Sequence, residues 1–285
     1  MDQPRDLEAL AREIAREAAE LAHLRRTEGV LIAATKTAVA DIVTEADREV
    51  ETLIRARLAE ARPGDGFLGE ESEASRSTTG ITWVVDPIDG TVNYAYGIPA
   101  YAISIAAVEG EPRPEAWDVV AGVVRNAATG EEFHAARGEG AWGTGSGRAP
   151  GGSAQRVGAA GRGRGDRLAV NDAVGPAGAL LGTGFGYDPA THAGDLARLA
   201  RIMPIARDVR RIGSAALDLA SVAAGRLDGY FERGLNPWDH AAGELLVREA
   251  GGRFHRSLRP GQTRALTVAA GAQIFDDLVA RALED

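Results

Sequence analysis

The segment Trp83-Val84-Val85-Asp86-Pro87-Ile88-Asp89-Gly90-Thr91 sets two carboxylates around a proline at the end of an apolar run. Pro87 fixes the backbone between them. Asp86 and Asp89 can then face one point, with the Ile88 carbonyl between them. Carboxylate and carbonyl oxygens are hard ligands of the kind that suit Mg²⁺. Gly90 permits close approach of backbone to a ligand, and the N–H groups of Gly90 and Thr91 can hold a phosphate. Asp, Pro and Gly are also common turn residues, so the segment alone reads equally well as a turn.

Three further acidic segments bear on that choice. Gly69-Glu70-Glu71-Ser72 precedes the Asp86 strand; alone, it reads as a solvated loop. Thr44-Glu45-Ala46-Asp47 resembles a helix start, where Asp47 fits the third position of a capping box. Asp239 in Trp238-Asp239-His240-Ala241-Ala242-Gly243 has the residue type of an N-cap. Each segment has a structural explanation. Gathered together, the carboxylates would repel one another without a cation between them. That makes the cluster costly as scaffolding and sensible as a metal site. The chain has no Cys, and no His in a setting that marks a nucleophile. His240 adjoins Asp239, but neighbours on a helix point in different directions.

Elements must position these groups. Residues 7–24 carry apolar positions at helical spacing. A second helix is expected from Thr44 to about Ala61, stopped by Pro63 and Gly64. Strands are expected over 82–85 (ending at Asp86), 101–108, 119–124, 180–184 and 227–231. Helices are expected over 213–224 and 239–250. Residues 138–165, rich in Gly, Ala, Ser and Arg, read as flexible with at most short strands. Helices and strands mix throughout, so the class is α/β or α+β.

Composition sets outer limits. At 285 residues the chain is one large domain or two fused subdomains. Hydrophobic residues at 45% are ordinary for a soluble globular protein. No apolar run approaches the ~20 residues of a membrane span, and the N-terminus lacks the pattern of a secretory signal. The expected location is cytoplasmic. A net charge of −9 argues against general nucleic-acid binding.

Taken together, the motifs resemble those of the inositol monophosphatase family. The matching stretches are Trp83–Thr91 with Val92-Asn93-Tyr94, Trp238–Gly243, Gly69-Glu70-Glu71, Val43-Thr44-Glu45-Ala46-Asp47 and the run from Asp208 to Leu219. They occur in the family's order and spacing, from about Thr35 to about Gly252. Residues 181–187 and 222–228 look most like its bacterial inositol-1-monophosphatase branch. Tyr94 stands where Phe is frequent, and 138–165 does not match closely.

The resemblance implies a layered α/β sandwich of the inositol monophosphatase / fructose-bisphosphatase type, usually a homodimer. Residues 1–180 would form an α+β subdomain with most metal ligands. Residues 181–285 would form an α/β subdomain with Glu232 and Asp239, the two working as one catalytic unit. Glu70, Asp86, the Ile88 carbonyl, Asp89 and Asp239 would hold two or three Mg²⁺ ions. Asp47 and Thr91, with Glu70 through its metal, would activate the attacking water. Gly90 and Thr91 would bind phosphate. Gly213, Ser214 and Ala215 would line the alcohol side, Glu232 would contact substrate hydroxyls, and Ile88, Asp89 and Asp239 would border the substrate. Arg210 would also reach it. Lithium inhibition is implied as well.

The leading expectation is Mg²⁺-dependent hydrolysis of inositol 1-phosphate. The same metal core serves fructose bisphosphate, 3′-phosphoadenosine phosphates and histidinol phosphate. An acidic Glu232 suits polyol hydroxyls better than a second phosphate, which leaves cationic histidinol phosphate as the main rival. From another class comes a regulatory protein contacting transcription or RNA machinery, to which the basic residues of 207–211 would contribute. Their plainer reading is a solvated face or dimer contact.

Overall fold

The structure, a computed structural model, describes residues 3–29, 32–35, 42–144 and 164–284. The chain order is α1 (Pro4–Glu28), β1 (Ile32–Thr35), β2 (Ile42–Thr44), α2 (Glu45–Ala61), β3 (Gly66–Gly69), β4 (Ile81–Asp89), α3 (Thr91–Tyr96), β5 (Ala102–Gly110), β6 (Trp117–Asn126), β7 (Glu132–Ala136), β8 (Ala141–Thr144) and β9 (Asp166–Arg167). It continues with β10 (Ala179–Thr183), α4 (Pro189–Ile202), β11 (Ala206–Arg210), α5 (Ala215–Ala223), β12 (Gly229–Arg233), α6 (Pro237–Glu249), β13 (Arg253–Ser257), β14 (Leu266–Ala270) and α7 (Ala272–Leu283).

Strands β3 to β9 form a seven-stranded sheet in sequence order, parallel only between β3 and β4. A five-stranded sheet runs β11-β10-β12-β14-β13, with β10 parallel to both neighbours. Helices fill three layers around them. Leu7, Ala11, Ile14, Ala18 and Ala22 recur at helical spacing on α1 and bury with Val50, Ile54 and Leu58 of α2 against the outer face of the large sheet. The helices α5 and α6 lie between the sheets, and one core joins Val84, Ala106 and Val124 to Leu219, Leu246, Tyr230 and Ala269. The remaining face of the small sheet packs on α4 and α7 through Leu181, Phe231, Ile202 and Leu278. The result is the expected alternating α/β sandwich. Each of its strata hides apolar faces that sheets and amphipathic helices cannot leave in water.

Several boundaries differ from the sequence expectation. The first helix extends to Pro4 and Glu28, beyond 7–24. The Asp86 strand does not end at Asp86 but continues to Asp89. Asp239 is not an N-cap: α6 starts two residues earlier, with Pro237 in the first helical turn, where its missing N–H costs nothing. Asn236 is the cap, and Asp239 accepts from the Asn236 N–H at 2.7 Å. Tyr94 is fully buried, and its hydroxyl donates to the Ala22 carbonyl at 2.9 Å, so the extra oxygen is satisfied. Most of 138–165 lies outside the described residues; its start forms β8.

Candidate active site

Strand β4 explains how Asp86 and Asp89 meet. Residues three apart on a regular strand point to opposite faces. In β4 the pairing to β5 slips: Asp86 lies opposite Ser104, and Asp89 opposite Ala102. One extra residue is therefore accommodated around Pro87 and Ile88, and such a bulge re-aims the side chain beyond it. Val84 of the same strand packs in the core between the sheets. Two residues on, Asp86 shares its face, and the bulge returns Asp89 to that side, toward α6. One carboxylate oxygen each of Asp86, Asp89 and Asp239 lie within 4.8 Å of one another.

Neighbouring elements complete the arrangement. The parallel register sets Gly69 opposite Val85, so Glu70 follows beside Asp86. Gly90 takes φ +97°, open to glycine at little cost, and turns the chain into α3. A Cβ there would lie 2.9 Å from the Ala100 carbonyl oxygen and 3.0 Å from that of Gly213. The turn thus abuts the loop that brings Ser214 to Asp89. Ser214 caps α5 and donates to Asp89 Oδ2 at 2.5 Å, while the Ala216 N–H donates to the same oxygen at 2.7 Å.

These groups open on one cleft of about 540 Å³. Glu70, Asp86, Ile88, Asp89, Gly90, Thr91, Gly213, Ser214, Ala215, Glu232 and Asp239 all line it. Asp47 stands behind Thr91. Its Oδ2 accepts from the N–H and hydroxyl of Thr44, forming the capping box of α2, while Oδ1 accepts from the Thr91 hydroxyl at 3.2 Å. The Thr91 hydroxyl also lies 3.1 Å from the Ile88 carbonyl oxygen. Arg210 is not among the lining residues. It is half exposed on the edge strand β11 and pairs with Asp208. His240 is fully buried between Trp117 and Phe254, and burial pushes it down to about 3, so it is neutral. Sequence reasoning gave no place in the substrate cleft to Arg211, Asp218, Arg264 or residues 183–187, which also line it. The signal for Asp218 was its place in a matching motif, on the turn after Ser214.

The electrostatics separate this cleft from the rest of the molecule. Away from the cleft, three buried carboxylates have cationic partners, while a fourth, Glu51, accepts from the Glu71 N–H at 2.8 Å. Glu8 pairs with Arg164 at 2.7 Å, Glu132 with Arg12 and Arg125 at 2.8 Å each, and Asp195 with Arg198 at 3.0 Å. Despite burial, Glu8 is held below the usual range by His134 and then Arg164, and Asp195 by Arg264, the Gly186 N–H and Arg198. Among the described residues no Arg, Lys or His pairs with Asp86, Asp89 or Asp239. Burial, then the charge of Glu70, pushes Asp86 well up; burial, then Asp89, does the same to Asp239. Burial pushes Asp89 up to about 6 against the bonds from Ser214 and Ala216. Asp47 rises to about 6 against its Thr44 bonds, and Glu232 to about 7 against a bond from the Tyr230 hydroxyl, both through burial. An oxygen-only cluster that lacks any protein cation fits a hard divalent ion, which would remove the repulsion.

The inositol monophosphatase family model matches residues 3–285. The inositol-1-monophosphatase SuhB of Mycobacterium tuberculosis is 42% identical, over 98% of this chain and 94% of that protein. The inositol-1-monophosphatase of Rhizobium meliloti is 45% identical over 75% and 71%, and the Escherichia coli Nus factor SuhB 39% over 74% and 70%. The solved structure of Mycobacterium tuberculosis SuhB superposes with a TM-score of 0.78, covering 99% of this chain and 97% of its own. That of the inositol monophosphatase from Anabaena gives 0.74 at 29% identity, covering 97% and 95%.

Proposed function

The chain belongs to the inositol monophosphatase family of phosphoric monoester hydrolases, and from that premise we propose that it is a Mg²⁺-dependent phosphatase acting on inositol 1-phosphate or a closely similar polyol phosphate. The observation that carries this reading is the cluster of three carboxylates, Asp86 and Asp89 buried and Asp239 partly buried, with no cationic partner among the described residues. Those three, with Glu70 and the Ile88 carbonyl, would hold the metal. Two or three bound Mg²⁺ ions would offset the charge of the phosphate, activate water and stabilise the departing alkoxide.

The chain's own groups have separate tasks. We assign the N–H groups of Gly90 and Thr91 to the phosphate. Thr91 accepts a hydrogen bond from the attacking water and directs its own proton to Asp47; the bond between Thr91 and Asp47 supports this. A hydroxyl has a single proton, so Thr91 donates to Asp47 or to Ile88 at any moment. Asp47 then polarises the relay without touching phosphorus. Water adds to phosphorus as the ester P–O bond breaks; the water's oxygen and one of its protons stay with the phosphate, and its other proton ends on the departing alkoxide, giving alcohol and hydrogen phosphate. Glu232, with Gly213, Ser214 and Ala215, borders the alcohol. We read the two subdomains as one catalytic unit, since both sheets contribute to the same cleft.

Phosphate release from inositol 1-phosphate, histidinol phosphate and fructose 1,6-bisphosphate, compared under identical Mg²⁺, tests the reading. The polyol monophosphate is expected to give the highest kcat/KM. Preference for either rival would reject the substrate assignment and leave the family intact. Inhibition by lithium and a homodimer in sedimentation are further expectations of the same reading.

A further inference from the structure

Beside the partly buried Glu232, the alcohol side of the cleft contains a buried carboxylate with no task in the mechanism above. Asp218, in the first turn of α5, is 2% exposed and forms part of the cleft wall beside Glu232. Its Oδ1 is buried and accepts no hydrogen bond. No ion pair reaches it among the described residues. Burying an acceptor with no donor costs stability, so a purely structural position would be better filled by an apolar side chain.

Strand β10 is shaped around the pair. Gly182 and Gly184 are two apart and share one face of the chain's path. A Cβ on Gly182 would lie 3.0 Å from Asp218 Oδ1 and 3.1 Å from the Tyr230 ring, and one on Gly184 would overlap the Glu232 carboxylate. The parallel register sets Gly182 opposite Tyr230, and the Tyr230 hydroxyl donates to Glu232. Two carboxyls thus share a glycine floor, with Tyr230 bonded to one of them. The other charged groups acting on them are Asp89, Arg211 and Arg264. Arg264 is occupied by Asp195 at 3.1 Å.

We propose that Asp218 is a specificity-determining residue: with Glu232 it makes the alcohol side of the cleft a two-carboxyl wall that admits hydrogen-bond-donating groups of a phosphomonoester and repels a second phosphate. This rests on the phosphatase reading of the same site. Carboxylate and phosphate oxygens are both acceptors, so a second phosphate here leaves the buried Asp218 Oδ1 without a donor and is repelled by both carboxyls. Rejection of the wrong ligand is how such a wall selects.

The test uses Asp218→Asn, close to isosteric, and Asp218→Ser, in the full-length protein. The kcat/KM ratio of inositol 1-phosphate to fructose 1,6-bisphosphate is expected to fall about tenfold in both, carried by KM. Melting temperatures run alongside; a structural residue would move these and leave the ratio alone. Calorimetric Kd values with Ca²⁺ in place of Mg²⁺ read the same preference without turnover. A ratio unchanged within about twofold in a folded variant overturns the proposal. So does wild-type protein that binds the bisphosphate as tightly as the monophosphate. Selective binding that narrows in the variants, without phosphate release in Mg²⁺, would support Asp218 and reject the phosphatase reading instead.

Discussion

Replacing Asp47 with Asn separates two roles that the structure joins in one carboxylate. Oδ2 closes the capping box of α2, and Oδ1 accepts from Thr91. An Asn with its oxygen toward Thr44 keeps the cap, but then its NH₂ faces Thr91. The amide donates where the carboxylate accepted, and the Thr91 proton is left to the Ile88 carbonyl, 3.1 Å away. The relay is reversed while the helix start survives. Loss of the charge at the helix N-terminus costs about 0.3–1 kcal/mol. Relief of the burial that pushes Asp47 up to about 6 acts in the opposite direction. Stability should therefore change by less than about 1 kcal/mol. The lost proton transfer should lower kcat by about 10²–10⁴, or about 3–5 kcal/mol of barrier. Asp47→Ala should add about 1–3 kcal/mol of destabilisation, because the buried Thr44 N–H loses its partner. Thr91→Ala should match the kcat loss of Asp47→Asn, and the double variant should be little worse than either. The assay is kcat and melting temperature on the same preparations. A destabilised Asp47→Asn with wild-type kcat would refute the relay and leave Asp47 as a cap.

Asp239→Asn retains an acceptor for the Asn236 N–H and should fold, but should lose at least about 10² in activity, because an amide is a poorer Mg²⁺ ligand; near-normal kcat would return Asp239 to the helix start. Asp47 and Asp89, raised to about 6, and Glu232, raised to about 7, bind more protons folded than unfolded between about pH 4 and 7. Their contribution to the stability of chelator-treated protein therefore falls as pH rises through that window, and Mg²⁺ should offset the loss; melting curves across pH, with and without Mg²⁺, check this. Gly90→Ala puts an L side chain at φ +97° against two carbonyl oxygens. It should cost at least about 1–2 kcal/mol, read as a lower melting temperature, and should also lower kcat.

Much of the site was legible in the sequence because its carboxylates sit in short local frames. Asp86 to Thr91 is one continuous stretch, from the end of β4 through Gly90 into α3, and Asp47 and Asp239 occupy helix starts with recognisable capping chemistry. The bulge that puts Asp86 and Asp89 on one side was not readable, since it exists only in the pairing of β4 with β5. The capping box of α2 and the Thr91 bond both involve Asp47, so the structural and functional explanations coexist there. Arg210 was misleading because strand edge and cleft are one residue apart: Arg210 pairs with Asp208, while Arg211 lines the cleft. The strand β7 was not expected, since Glu132 and His134 interrupt its apolar pattern; both are buried through partners distant in sequence, Arg12 and Glu8. Helix α7 went unnoticed although its Phe275 and Leu278 pack on the small sheet. Asp218, on α5, was overlooked because what singles it out is its approach to Gly182 of β10, distant in sequence.

Phosphate release from inositol 1-phosphate as free Mg²⁺ is titrated upward from chelated protein tests the central claim most directly. No turnover is expected without metal. Activity should rise with Mg²⁺, and replacing Asp86 by Asn should shift that rise to higher Mg²⁺ concentration. Full activity in excess chelator, or a Mg²⁺ dependence unmoved by Asp86→Asn, would contradict the assignment of this carboxylate group as the metal site.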